Sequence, residues 1–362
     1  MAVNIQRTLL ALPFVALSVV CFFLMDILAL IRDFPPPSAT MRITWDTGAI
    51  PILQRFHWIP LLDEIYRDVT VGFAPSTLGY DDVSRWHMYN FMSDIGVMYM
   101  IWLLESSRPM NKSWVIRYPV ILFQIAQLVG GGVVIPLYYL CHTILAPPAN
   151  SQNHPWQLIR TTEALCYAPA ILIIHTFLMM LMYFSPSLEA RHYWTWFWQL
   201  FPVRIALTHS AFYILSKWTG LQGRTSRVPY RTAMIMAIGP FIAISAGTYI
   251  YTALESPYPL YDVFLPTIPL DLESGKSWVL RMRNILQIDQ VIISAATFLW
   301  VSYLVQDMRV GKLVSRAETW TFFAMIALVP IVGQSATYGL MWLRREFLMN
   351  RKTEVTRSCK TQ

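Results

Sequence analysis

Residues 86–108 read WHMYNFMSDIGVMYMIWLLESSR, and this run decides the fold. Apolar side chains dominate residues 85–104. A helix of about 20 such residues crosses roughly 30 Å of hydrocarbon. At 3.6 residues per turn, His87, Asn90, Asp94, Met98, Ile101 and Glu105 project within about 40° of one line. The segment therefore reads as a membrane helix with one polar face and with Asp94 near its middle. Charge inside a bilayer is costly, so that face is expected to look into a helix bundle and away from lipid.

Working outward, seven further segments have the same character: residues 9–31, 114–140, 162–184, 193–215, 232–253, 285–305 and 319–343. Composition agrees. Of 362 residues, 55 % are hydrophobic and 14 % charged, against about 25 % charged in soluble domains. The 14 tryptophans suit the two membrane–water boundaries. The expected fold class is all-α: a polytopic membrane bundle of about eight transmembrane helices, forming a single integral membrane domain over residues 1–362. The first segment exceeds a signal-peptide core of roughly 7–15 residues and runs into Arg32-Asp33 and Pro35-Pro36-Pro37, so it reads as a retained span. Gly130-Gly131-Gly132 and Pro136 predict a kink or break in the third segment.

Two connections are long. Residues 32–84 hold an amphipathic stretch near 59–71 and are expected to cap one mouth of the bundle or lie in the interface. Residues 256–277 are proline-rich and carry Asp262, Asp271 and Glu273. No fixed-period repeat is visible, which counts against the repeat-built transporter folds. Loop lysines and arginines are nearly balanced between the two sides. The basic C-terminal tail, from Arg344 to Lys360, tips both termini toward the cytoplasm.

The net charge of +7 is scattered through short loops and the tail, so no nucleic-acid partner is expected. Cys21, Cys141, Cys166 and Cys359 make no CxxC pair, which predicts neither a disulfide framework nor a zinc site. There is no nucleotide-binding loop and no HExxH, and the histidines are too sparse for a diiron desaturase. Asn90 and Asp94 resemble the NxxxD opening of membrane prenyltransferases. Those enzymes need further aspartates at helical spacing to hold magnesium and a diphosphate, whereas here position 98 is Met and no second Asp-rich motif follows. The expected chemistry uses no metal and no cofactor, which leaves acid–base work.

Asp94 leads the candidates, because a carboxyl held away from water keeps its proton and can act as a general acid. The plainer reading is an ion pair with Arg204 or a hydrogen bond to a neighbouring helix. Glu105 closes the same span, and its plainer reading is an (i, i+3) pair with Arg108. Glu163 opens the fourth span, where a carboxylate suits a helix start, and Tyr167 follows one turn on. Asp289 lies one turn into the seventh span beside Gln287 and Gln290. His175 and His209 read as packing histidines on apolar helices. Trp194, Trp196, Phe197, Trp198 and Phe201 read mostly as an interfacial belt, from which a few rings could line a cavity and stabilise a cation.

The eight-span layout and the 86–108 run resemble the fungal membrane-bound terpene cyclases of meroterpenoid pathways, of the ascofuranone, ascochlorin and macrophorin type. The resemblance covers most of the chain in layout, and the second-span run is its one distinctive motif. It implies a cofactor-independent enzyme that takes a lipophilic prenylated small molecule from the membrane lipid. A carboxylic acid protonates a terminal epoxide or alkene, the carbocation cyclises, and proton loss ends the reaction. It also implies a multi-pass protein whose default organelle is the endoplasmic reticulum. No residue role transfers position by position. Burial alone makes Asp94 the leading acid, with Glu105, Glu163 or Asp289 as partner or terminal base. His87, Asn90, Tyr167, Trp198 and Arg204 are the candidate substrate-binding residues. The alternative function is a transporter or exporter of a hydrophobic metabolite that uses Asp94 and Arg204 as a coupling pair.

Overall fold

The computed structural model describes residues 5–26, 28, 40–147, 158–267 and 278–360. Asp271, Glu273 and the proline run at 35–37 lie outside them. Helix α1 (Ile5–Leu24) precedes an antiparallel hairpin, β1 (Arg42–Trp45) with β2 (Gly48–Pro51), which sets Ile43 opposite Ile50. The chain continues through α2 (Pro60–Gly72), α3 (Asp82–Ser106), α4 (Val120–Val129), α5 (Gly131–Leu145), α6 (Thr161–Phe184) and α7 (Leu188–Trp198). It ends with α8 (Phe201–Trp218), α9 (Tyr230–Glu255), α10 (Trp278–Val310), α11 (Arg316–Ala324) and α12 (Gln334–Lys360). The architecture is helical. The hairpin in the first long connection was not anticipated, whereas the amphipathic stretch there is α2.

Among the described residues four helices, α1, α6, α9 and α10, are long and apolar enough to cross a membrane. Of the about eight spans expected, these four are single apolar helices, and the other four segments take different forms. Residues 114–140 break at Gly130, whose φ of +95° favours glycine, so α4 and α5 are separate short helices. Residues 193–215 are divided between α7 and α8, and residues 319–343 break at Gly333, with φ +83°. Helix α3 is long enough but is walled in by protein, since every residue from Asn90 to Ser106 is buried. Its polar groups are matched by neighbouring helices, so the side facing away from the expected polar face is inside the bundle as well.

Helices α9 and α12 pack on α3, and α1 packs on α5 and α10. Aromatic rings fill much of this core. Tyr139 stacks on Trp300 with centroids 4.6 Å apart and accepts the Trp102 Nε1–H at 2.6 Å. At one end of α3 lies a buried ion cluster. Glu105 meets Arg108 at 2.6 Å and Arg345 at 2.7 Å, and accepts the Trp342 Nε1–H at 2.7 Å. Glu346 joins through Arg108 at 2.5 Å and accepts the Tyr230 hydroxyl. Such a cluster costs much desolvation and is kept only because nearly every charge has a partner.

Candidate active site

Helix α3 turns Met88, Phe91, Met92, Ile95, Tyr99 and Trp102 onto a cavity of about 360 Å³. Their spacing is a helical stripe, and from Met88 to Trp102 it runs roughly 21 Å along the axis. Facing walls come from Phe123 of α4, Ile135 of α5, Trp198 of α7 and Phe201 of α8, with Asp289 and Ile293 of α10. Helix α2 borders one end with Ile65, Asp68 and Val69. The volume falls at the low end of the 300–1,000 Å³ typical of ligand sites. The lining is apolar and rich in methionine and aromatic rings, and Asp68 and Asp289 are its carboxyls.

Asp289 is 7 % exposed. The glycine run forms its cradle. Asp289 Oδ1 accepts the Gly132 N–H at 2.5 Å, at the first turn of α5, where helix amides lack internal partners. A Cβ built on Gly130 or Gly132 would lie 3.1 Å from that oxygen, and one on Gly132 would also lie 2.6 Å from Cys21 Sγ. The three glycines, read from the sequence only as a break, thus let α5 begin against a carboxylate. Helix polarity adds to the fit, since the negative charge left when this carboxyl gives up a proton is favoured at a helix start.

Trp198 is fixed just as closely. Its Nε1–H donates to His175 Nδ1 at 3.0 Å, and His175 Nε2 donates to the Met92 carbonyl at 2.8 Å. These two bonds set the imidazole tautomer with its proton on Nε2. His175 therefore aligns one aromatic wall of the cavity with the helix opposite. Trp196, Trp198 and Phe201 are buried, and Trp198 and Phe201 are the rings of that cluster that line the cavity.

The remaining sequence candidates fall elsewhere. Asp94 is buried, but its side chain points roughly 100° round α3 from the cavity stripe. It accepts hydrogen bonds from Ser245 at 2.7 Å, Gln290 at 3.0 Å and Gln334 at 3.4 Å. His87 joins through Gln290 Oε1 at 2.8 Å, and Asn90 donates to Thr252 at 2.5 Å. Arg204, expected as a counter-ion for Asp94, instead lies 3.6 Å over the Phe197 ring. Glu105 sits in the ion cluster, in the plainer pairing with Arg108. Glu163 faces Arg160 at 3.4 Å, and Tyr167 stacks on His209 at 3.8 Å; neither lines the cavity. Of the named candidates, Asp289 and Trp198 line it together. Sequence reasoning did not single out Asp68, Gln127 or the methionines of the wall. For the methionines the available signal was the i, i+3, i+4 repeat of Met88, Phe91, Met92 and Ile95, hidden beside the polar line on the same helix, and Asp68 and Gln127, on α2 and α4, carried no such pattern.

The CtvD domain family matches residues 11–349, and the chain belongs to that family. A protein of Penicillium polonicum named FAD-dependent monooxygenase verC1 is 26 % identical over 361 residues, 96 % of this chain and 43 % of that protein. FAD-dependent monooxygenase anuJ of Penicillium roqueforti is 26 % identical over 94 % of this chain and 41 % of its own length. Terpene cyclase ascI of Acremonium egyptiacum is 23 % identical over 81 % of this chain and 79 % of its own length. The chain thus spans less than half the length of the two monooxygenase relatives. No solved structure matches it.

Proposed function

We propose that this CtvD-domain protein is a membrane-bound, acid-initiated cyclase of a lipophilic prenylated molecule, and that Asp289 is its acid. The observation that carries this reading is a carboxyl opening onto an apolar, aromatic-lined cavity. Asp289 Oδ1 is already an acceptor, so Oδ2 is the oxygen that carries a proton to substrate. After transfer, the carboxylate rests on the Gly132 N–H. With an epoxide as substrate, the proton goes to the epoxide oxygen and the C–O bond to the tertiary carbon breaks. An alkene π pair then forms the new C–C bond. The final carbocation loses a proton that restores the Asp289 carboxyl, so the product is an isomer of the substrate. The rings of Phe91, Trp198 and Phe201 face the cation, and the dry walls keep water from quenching it.

Similarity to a relative named as a terpene cyclase, over most of both chains, supports this reading. The monooxygenase name belongs to proteins more than twice as long. We assign the flavin chemistry to the part of them that this chain does not match, because the sequence here has no nucleotide-binding loop. The same reading gives eight crossings: α1, α3, α6, α8, α9 and α10 as single helices, and the pairs α4–α5 and α11–α12 broken at Gly130 and Gly333. Irregular backbone is tolerated at membrane depth where protein covers it, as around Gly130.

The test uses microsomes that contain the protein, fed an epoxyfarnesyl phenol with no flavin or nicotinamide. A same-mass cyclised product is expected. Asp289→Asn should lower turnover by about 10²–10⁴-fold, the usual worth of a positioned acid. Dependence of product on added FAD and NADPH, or wild-type turnover by Asp289→Asn, would remove the proposal. Uptake of unchanged substrate into vesicles would favour the transporter alternative.

A further inference from the structure

The cavity has one closed end and one end bordered by surface. Tyr99, Trp102 and Phe123 shut the far end, and all are buried. The near end lies between α2, the last turn of α4 and the first turns of α10. Its rim includes Ile65 and Leu128, which are 38 % and 40 % exposed. Both belong to larger exposed apolar surfaces. On α4, Ile121, Ile125 and Leu128 repeat at i, i+4 and i+7, which makes one outward stripe. On α2 and its approach, Trp58, Ile59, Leu61 and Ile65 are exposed. Water is a poor neighbour for this surface. The exposed Leu9, Leu12 and Phe23 of the membrane-crossing α1 belong to the same class of outward apolar groups.

We infer that the cavity opens sideways into the bilayer between α2 and α4, and that a prenyl-chain molecule dissolved in the membrane enters past Ile65 and Leu128. Asp68 and Gln127 stand in the lining, on the two elements that flank this opening. They are the polar groups that an oxygenated group of the entering molecule meets as its hydrocarbon passes into the cavity. Helix α2 is amphipathic, with Asp63 and Tyr66 turned inward and Leu61 and Ile65 turned outward. It therefore serves as the interfacial edge of the opening. The inference deepens the cyclase reading by naming the phase that supplies its substrate, but filling of the cavity requires no turnover.

The experiment uses the whole chain in phosphatidylcholine nanodiscs loaded with a diazirine-bearing farnesol. After irradiation, labelled peptides are mapped by mass spectrometry. Wild-type protein should be labelled on α3 around Met92 and Met98, and on the outer face of α1 around Phe23. The pair Ile65→Trp and Leu128→Trp should lose the α3 label and keep the α1 label. Ile65→Ala with Leu128→Ala widens the mouth and should raise the α3 label, which decides the matter if the tryptophan pair does not fold. Equal α3 labelling in wild-type, plugged and widened proteins would overturn the opening, as would a wild-type α3 that stays unlabelled. A protein that shows this pattern and yet makes no cyclised product would retain the opening and lose the cyclase reading.

Discussion

Asp94 and Asp289 show how much the meaning of a buried carboxyl depends on what lies beside it. Asp94 is satisfied by Ser245, Gln290 and Gln334, on α9, α10 and α12. Gln290 is the residue next to Asp289, so the chain His87–Gln290–Asp94 holds α10 in the rotation that presents Asp289 to the cavity. Asp94 is thus a positioning residue in the proposed reaction. Asp94→Asn keeps an acceptor for Ser245 but turns an amide toward the donors of Gln290 and Gln334, so it should cost turnover about tenfold through positioning, short of the 10²–10⁴-fold expected for a lost acid. Asp94→Leu strands buried donors, at about 1–3 kcal/mol for each unsatisfied group. It should lower the thermal unfolding midpoint in detergent, and an Asp94→Asn enzyme as inactive as Asp289→Asn would contradict this division of roles. Burial of Asp94 was legible from its place in an apolar run. Its orientation was not, because the hydrogen-bond partners that fix it lie 151 to 240 residues away.

At the scale of elements, the break between α4 and α5 matters more to the site than any continuous helix. The glycine run predicted a break, and the structure gives the reason: α5 must start within contact of both α1 and α10. In Gly132→Ala the new Cβ meets Cys21 Sγ and Asp289 Oδ1. Overpacking of this kind costs about 1–3 kcal/mol. Adding Cys21→Ala should recover the unfolding midpoint but not turnover, since the methyl still presses on the carboxylate; full recovery of both would show that the cradle does not position Asp289. Helix α2 carries a separate, pH-dependent tether. Asp63 accepts the backbone N–H groups of Phe56 at 3.0 Å and His57 at 2.7 Å. Burial opposes ionisation there, but these amides prevail and hold the Asp63 carboxyl below its ordinary range. A depressed carboxyl stabilises the fold above its unfolded value of about 3.9 and loses that contribution as pH falls. Hydrogen exchange over residues 56–72, corrected for its intrinsic pH dependence, should therefore quicken below about pH 4 and hold steady between about 6 and 8. Asp63→Asn should abolish the pH step, and a step that persists would place the tether elsewhere.

Across the whole molecule, what the sequence disclosed was the solvent. Few charges and long apolar runs marked a membrane bundle, and the (i, i+3) spacing of Glu105 and Arg108 foretold their pair. The recruitment of Arg345 and Glu346 from α12 into a buried cluster, and the hollow between α3 and α10, arise from packing between distant segments and leave no local pattern. The number of crossings stands between these levels, because broken helices blur a signal that depends on continuous length. Engineered glycosylation acceptors separate the possibilities. Ser38→Asn, Arg224→Asn and Leu272→Asn each create an Asn-X-Ser/Thr site, by reading on to Thr40, Ser226 and Ser274. With cytoplasmic termini and eight crossings, positions 38 and 224 face the lumen and 272 does not. With crossings only at α1, α6, α9 and α10, positions 38 and 272 face the lumen and 224 does not. Position 38 fixes the orientation in either case, so the reciprocal behaviour of 224 and 272 decides the count. We expect modification at 38 and 224. This follows from α3: in the proposed arrangement a helix buried from Asn90 to Ser106, among helices long and apolar enough to cross a membrane, crosses with them. Modification at 272 in place of 224 would leave α3, and with it the wall of the cavity, outside the hydrocarbon.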